Sequence, residues 1–215
     1  MSARLLPDNA AGRVAAVEVL RRGGIVVMPT DTVYGVGVSL DADEGLARLF
    51  AAKDRPLDKA IVLLVADVEQ AGSIGVLSPV AQALAEKFWP GSLTLVLAQQ
   101  PNSTLPAALT ASQKTIGVRV PDHDCPRALA RELGPLPVTS ANISGQPAVT
   151  TANDAMAQLG ERVDLILDGG GARGGTASTV VDCSAGEPQI LREGAIDLMA
   201  VAEAVRNSQA RRQGR

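Results

Sequence analysis

Short aliphatic runs constrain this chain most. The stretches "IVVM" (25–28), "AIVLLVA" (60–66), "SLTLVLA" (92–98), "TIGVRV" (115–120) and "LPVT" (136–139) each hold four to seven residues. That is the length of a buried strand and too short for a stable helix. Between them lie segments with helical spacing. Asp8 and Asn9 can cap a helix that buries Val14, Val17 and Leu20 and ends at Gly23 and Gly24. Asp43 or Glu44 opens a second through Leu46, Leu49 and Phe50 to Lys53, closing near Arg55 because Pro56 disfavours helix just before it. Ser78 and Pro79 suit the cap and first turn of a third, reaching Trp89. Further helices are expected near 127–133, 153–159 and 197–206, with 207–215 as a frayed tail. Three strand-like runs, 165–167, 178–182 and 189–192, follow one another late in the chain. Helices alternate with strands early and strands succeed strands late, which predicts an α/β fold built on an open, twisted mixed sheet with flanking helices.

A chain of 215 residues suits one domain, here 1–206, with a core drawn from Ala, Val, Leu and Ile because only 2% of the chain is aromatic. Twenty basic residues stand against 23 acidic ones, a net charge of -3. No overall positive field draws the molecule onto nucleic acid or anionic membrane, so any anion site is local. No apolar run reaches about 18 residues and the first nine residues lack a signal-peptide pattern, so a cytoplasmic protein is expected. Cys125 and Cys183 are far apart, in no C-x-x-C arrangement, and read as two reduced thiols.

Two familiar patterns fail in their context. "GGGARG" (169–174) has the G-x-G-x-x-G spacing, yet a β-branched run follows where a dinucleotide fingerprint needs a helix, and a mobile glycine loop fits better. Gly170 to Thr176 has the phosphate-loop spacing without its lysine. His123, the only histidine, sits in "PDHDCP", a surface loop between strand and helix, so histidine base chemistry is not expected.

A different constellation carries more. Lys53, Arg55 and Lys59 fall within seven residues beside a proline turn, either a solvated basic turn or a cradle for a polyphosphate. Arg119 and Arg192 each interrupt a strand pattern and either face solvent or require an anion, a carboxylate or a ligand. Three apolar runs end in or begin from small hydroxyls: Thr30 and Thr32; Thr139, Ser140, Asn142 and Ser144; Thr176, Ser178 and Thr179. Loops at strand ends are where an open α/β sheet builds its ligand crevice.

The motifs "PTDTVYGVG", "KDRP" with Lys59, "TIGVRVP", "TSANISG" and "STVVD" with "ILREG" occur in the order that identifies the YrdC-like family of threonylcarbamoyl-AMP synthases, from about Gly24 to Ile196. The resemblance implies a twisted mixed sheet around a large basic cavity. It implies an ATP-dependent nucleotidyltransferase that joins L-threonine, bicarbonate and ATP into L-threonylcarbamoyladenylate and pyrophosphate, for modification of tRNA next to the anticodon. It places Thr32, Arg119 and Ser178 on threonine, with Ser140 near the join of the two ligands. Arg55, Lys59, Thr115, Asn142, Thr150 and Arg192 fall on ATP, with Lys53 completing the basic wall; Lys53, Arg55 and Ser140 are the implied catalytic set. The implied cofactor is Mg²⁺ held mainly by phosphates, with no protein ligand. The implied partners are the downstream tRNA threonylcarbamoyltransferase machinery and a tRNA or double-stranded RNA contact. The chain resembles the short form of the family, without the extra C-terminal domain of long members. Some members place a histidine on threonine where Leu64 stands here. Two other readings are kept: a carbamoyltransferase relative that uses carbamoyl phosphate, and a non-catalytic RNA-binding paralogue.

Overall fold

Asn9 opens the first helix as its sequence position suggests, accepting the Gly12 N–H on Oδ1 at 2.9 Å. The computed structural model describes residues 2–42 and 44–213. In chain order the elements are β1 (Arg4–Pro7), α1 (Ala10–Arg21), β2 (Val26–Met28), β3 (Gly35–Gly37), α2 (Gly45–Ala52), β4 (Val62–Leu64), α3 (Val68–Ile74), α4 (Pro79–Phe88) and β5 (Leu93–Ala98). There follow α5 (Ala107–Thr110), β6 (Thr115–Arg119), α6 (Asp124–Leu133), β7 (Leu136–Ser140), α7 (Ala152–Leu159), β8 (Leu165–Asp168), β9 (Thr179–Asp182), β10 (Gln189–Arg192) and α8 (Leu198–Gln213). Ser78 and Thr151 cap α4 and α7 through their hydroxyls, and Asp67 caps α3.

Among the described residues ten strands join one sheet in the order β1-β8-β2-β3-β7-β4-β6-β5-β9-β10. The pairs β1/β8, β2/β8, β4/β6 and β5/β9 are parallel and the other five antiparallel, so the sheet is mixed, as expected. The late strands do not stay together. β8 inserts between β1 and β2, whereas β9 crosses to the opposite side and pairs with β5. This crossing carries Ser178, just before β9, to the start of β5, beside Thr94.

Two apolar clusters cover the sheet's faces. Ala16, Val17 and Leu20 of α1 and Leu129 and Ala130 of α6 pack with Val26, Met28, Leu64, Leu136 and Val138 on one face. The larger cluster on the other face gathers Val27, Val36, Leu49, Leu63, Leu84, Leu95 and Ile166. Alternate residues of one strand point to opposite faces, so Val26 and Val27 belong to different clusters.

Several expectations need correction. Val14 is 61% exposed, because the buried stripe of α1 is Gly12, Ala16, Val17 and Leu20, and Val14 lies outside it. Of the two residues proposed to open α2, Glu44 is the N-cap, with φ 60° and no side-chain cap bond, and Asp43 lies outside the described residues. The segment 207–213, read as a frayed tail, continues α8, which packs along α4, with Ser208 buried and its hydroxyl on the Pro79 carbonyl. Elements β1, β3, α3 and α5 carry too little periodicity to read from sequence.

Element β3 is the instructive omission. A Cβ at Gly35 or Gly37 would stand 2.7 Å from a methyl of Val138 on the neighbouring strand. At Gly37 it would also meet the Pro137 carbonyl at 2.8 Å. The glycines therefore mark close strand approach rather than a turn. Gly37→Ala should lower unfolding stability by about 1–3 kcal/mol. Val14→Ser should change it by no more than about 0.5 kcal/mol. Urea denaturation of the two variants checks both, and equal losses would contradict this placement.

Candidate active site

The cavity that gathers the predicted hydroxyls lies on a face of the sheet, with loops only forming its walls. Its floor is made by Gly35 of β3, Val138 and Ser140 of β7, Val62 and Leu64 of β4, Arg119 of β6 and Thr94 of β5. Register puts these on one face: Gly35 opposes Ser140, Val62 opposes Val138, and Leu64 opposes Arg119. Thr30, Thr32, Arg55, Ala60, Ala177, Ser178 and Arg192 build the walls around a volume of about 260 Å³. Three arginines and several hydroxyls line it, with no carboxylate among the described lining residues. The expected basic cavity is thus present, over the sheet rather than at the strand ends.

Arg119 is its most constrained member. At 6% exposure the guanidinium is saturated on three sides: Nε donates to Gly91 O at 2.9 Å, Nη1 to Thr32 Oγ1 at 2.9 Å, and Nη2 to Asp31 Oδ1 at 2.5 Å. Asp31 Oδ2 accepts the Ser92 hydroxyl at 3.0 Å. The counter-ion that a buried strand arginine requires is therefore a carboxylate. Burial pushes the Arg119 pKa down and the Asp31 charge opposes that shift. A guanidinium stays charged in proteins, so Arg119 remains a cation.

Thr30 and Thr32 answer why hydroxyls cluster after β2. Thr30 Oγ1 donates to Val33 O at 2.7 Å, lies 3.1 Å from Thr32 Oγ1 and accepts the Thr32 N–H at 3.1 Å. The hydroxyls satisfy a tight buried loop while one of them holds Arg119. On the opposite wall Ser178 Oγ lies 2.8 Å from Thr94 Oγ1, and Arg192 donates to the Ser178 carbonyl at 2.7 Å and to its hydroxyl at 3.1 Å. Arg192 is exposed on its edge strand yet reaches inward. Arg55 folds back onto the carbonyls of Lys59 and Ala60, at 3.2 and 2.7 Å, and presents its remaining donors at the rim.

Of the sequence candidates, Thr32, Arg55, Arg119, Ser140, Ser178 and Arg192 line this cavity, and so does Leu64, an apolar contact in place of a histidine. Lys59, Thr115, Asn142 and Thr150 do not line it. Lys59 is exposed, and Thr115 lies at the far end of β6 from Arg119. The Thr150 carbonyl accepts Ala172 N–H at 2.8 Å. Asn142 donates to Ile143 O and Gln146 O, while its buried Oδ1 has no partner among the described residues. Asp31 stands inside the first motif, but neither it nor Thr94 and Ser92 shows in the sequence which residue it pairs with, because those partners lie 61 to 88 positions away.

Lys53 departs most from expectation. It is 1% exposed, and its ammonium donates to the carbonyls of Ser140 and, at 2.5 Å, Asn142. Its own carbonyl accepts the Ser144 N–H at 3.0 Å. Rather than adding to the basic wall, Lys53 ties the end of α2 to the turn after β7, because those carbonyls have no strand partner beyond Ser140. Burial, then the nearby Arg55 charge, lowers its pKa from 10.5 to about 7.

His123 caps α6, its Nδ1 accepting Cys125 N–H at 3.1 Å, and burial lowers its pKa, so the neutral ring is the capping form. Tyr34 clamps the glycine loop, donating to Gly170 O at 2.7 Å and accepting Gly169 N–H at 3.1 Å. β9, not a helix, follows that loop.

The Lys53 shift has a testable sign. The folded pKa lies below the unfolded one, so between about 7 and 10.5 the unfolded chain binds more protons and stability rises with pH. The stability of the parent chain relative to Lys53→Met should therefore increase from pH 7 to pH 9 in paired denaturation curves. A gap that stays constant with pH would contradict the assignment.

Residues 18–194 match the sequence model of the Sua5/YciO/YrdC family, which bears the description "Telomere recombination". The chain is 39% identical over 199 residues to a putative threonylcarbamoyl-AMP synthase of Mycobacterium leprae, covering 92% of this chain and 90% of that protein. It is 38% identical over 183 residues to the threonylcarbamoyl-AMP synthase of Bacillus subtilis, covering 84% of this chain and about half, 53%, of the relative. The crystal structure of Pyrococcus abyssi Sua5 complexed with L-threonine superposes with a TM-score of 0.87 at 32% identity, over 95% of this chain and 61% of that one. By sequence and by fold, this chain belongs to the Sua5/YciO/YrdC family.

Proposed function

We propose that the chain is an L-threonylcarbamoyladenylate synthase, forming that adenylate and pyrophosphate from L-threonine, bicarbonate and ATP, for threonylcarbamoyladenosine modification of tRNA. The observation that carries this reading is the meeting, in one cavity, of a fixed Arg119–Thr32 pair with Ser178, Arg192 and Arg55. Relatives named threonylcarbamoyl-AMP synthase and a relative's complex with L-threonine support it.

In this reading the carboxylate of threonine meets the free donors of Arg119, beside Thr32 and Ser178. The amine takes up carbon dioxide derived from bicarbonate and loses a proton, giving a carbamate. A carbamate oxygen then attacks the α-phosphorus of ATP: the new O–P bond forms as the bond to the β-phosphate oxygen breaks, and pyrophosphate leaves. Arg55 and Arg192 offset the phosphate charge, and Ser140 sits on the floor between the two ends. Such a transfer depends on alignment and charge stabilisation. In this reading Mg²⁺ enters with the phosphates of ATP as part of the substrate, and no carboxylate stands among the described lining residues. A volume of about 260 Å³ is smaller than the ~300–1,000 Å³ of whole-ligand pockets, so the nucleoside of ATP extends past the mouth. Asn142, with its open acceptor, Lys59, Thr115 and Thr150 would meet it there. The labile product passes to the tRNA threonylcarbamoyltransferase machinery, with tRNA or double-stranded RNA contact as a further element of the proposal and the cytoplasm as its setting. No helix among the described residues is long and apolar enough to cross a membrane.

Mass spectrometry of the protein incubated with Mg²⁺, ATP, threonine and bicarbonate should show a threonine-dependent adenylate together with pyrophosphate. Arg55→Ala should cut kcat/KM for ATP by about 10- to 100-fold, a loss of roughly 1.5–3 kcal/mol for a charged hydrogen bond, without lowering the melting temperature. Pyrophosphate release that does not need threonine would overturn the proposal.

A further inference from the structure

Thr94 is the one hydroxyl of β5 on the cavity floor, where only 1% of the residue is exposed. Its Oγ1 lies 2.8 Å from Ser178 Oγ, which also accepts Arg192 Nη2 at 3.1 Å. A hydroxyl has one proton to donate and two lone pairs. If Thr94 donates to Ser178, both lone pairs of Ser178 are filled and its own proton is free for an acceptor in the cavity. If Ser178 donates to Thr94 instead, one lone pair of Ser178 is left for a ligand N–H.

A neighbour that can take either role lets Ser178 face either end of an amino acid, a carboxylate or an amine. Arg192 cannot do this, because a guanidinium only donates. The chain Thr94–Ser178–Arg192 also joins the Arg119 side of the cavity to its rim, since Thr94 and Arg119 share the floor. The position is held firmly: β5 and β9 pair in parallel with Leu93 opposite Thr179, and Thr179 N–H bonds Ser92 O at 3.0 Å.

We infer that Thr94 is a positioning residue for the amino-acid half of the site, orienting the Ser178 hydroxyl toward bound threonine. This rests on the threonine reading above. Valine has nearly the shape of threonine and suits a strand, so Thr94→Val deletes the hydroxyl with little effect on packing.

The test is calorimetric titration of L-threonine, with steady-state pyrophosphate release, for the parent chain, Thr94→Val and Thr94→Ser. Thr94→Val should raise the Kd and KM for threonine about 3- to 10-fold, the scale of one neutral hydrogen bond, and leave the KM for ATP unchanged in a variant that still folds. Thr94→Ser should restore threonine binding. Unchanged threonine affinity in Thr94→Val, or equal impairment in Thr94→Ser, would overturn the inference while leaving the threonine reading standing. A folded parent chain that binds no threonine would overturn that reading too, and the inference with it.

Discussion

The buried ion pair of Arg119 and Asp31 is the constraint around which the site is organised. An arginine side chain on a central strand is costly to bury, and removing its partner would cost about 3–5 kcal/mol. The fold meets that cost with one carboxylate, one carbonyl and one hydroxyl, supplied by two loops. Five N–H groups minus three protein acceptors leave two donors for a ligand. The Thr30–Val33 loop is tight for the same reason: it places Asp31 and Thr32 on adjacent guanidinium nitrogens.

Space for the ligand comes from what the floor lacks. Gly35 lies against a Val138 methyl on the cavity floor, so the floor carries no side chain there, on the face that α1 and α6 cover elsewhere. The crossing of β9 to β5 then brings a hydroxyl wall to an arginine floor. Lys53 acts differently from the other cations. It fixes backbone rather than presenting charge, and keeps the turn beyond Ser140 against α2.

The sequence revealed the mixed sheet because its central strands are apolar runs bounded by Pro, Gly and capping residues, and these signals are local. It missed β1 and β3, since four residues at an edge and "GVG" have no period to detect. Thr32, Arg119, Ser178 and Arg192 were legible as candidates because hydroxyls at strand ends and arginines within strand patterns conflict with simple burial. Their partners were not legible. Asp31 reaches Arg119 across 88 positions and Thr94 reaches Ser178 across 84, contacts set by strand order rather than spacing. Lys53 was misassigned because a lysine near a proline turn normally faces water, and only tertiary packing supplies the two carbonyls that bury it.

The most direct measurement of the central claim is the affinity of Arg119→Lys for L-threonine by calorimetry. Lysine keeps the charge but cannot reach Gly91 O, Thr32 and Asp31 together while leaving two donors for a carboxylate. The account predicts a folded variant whose threonine affinity falls by about thirtyfold or more, in keeping with the ~2 kcal/mol or greater loss on disrupting a buried charge contact. A folded variant that binds threonine as tightly as the parent chain would contradict it.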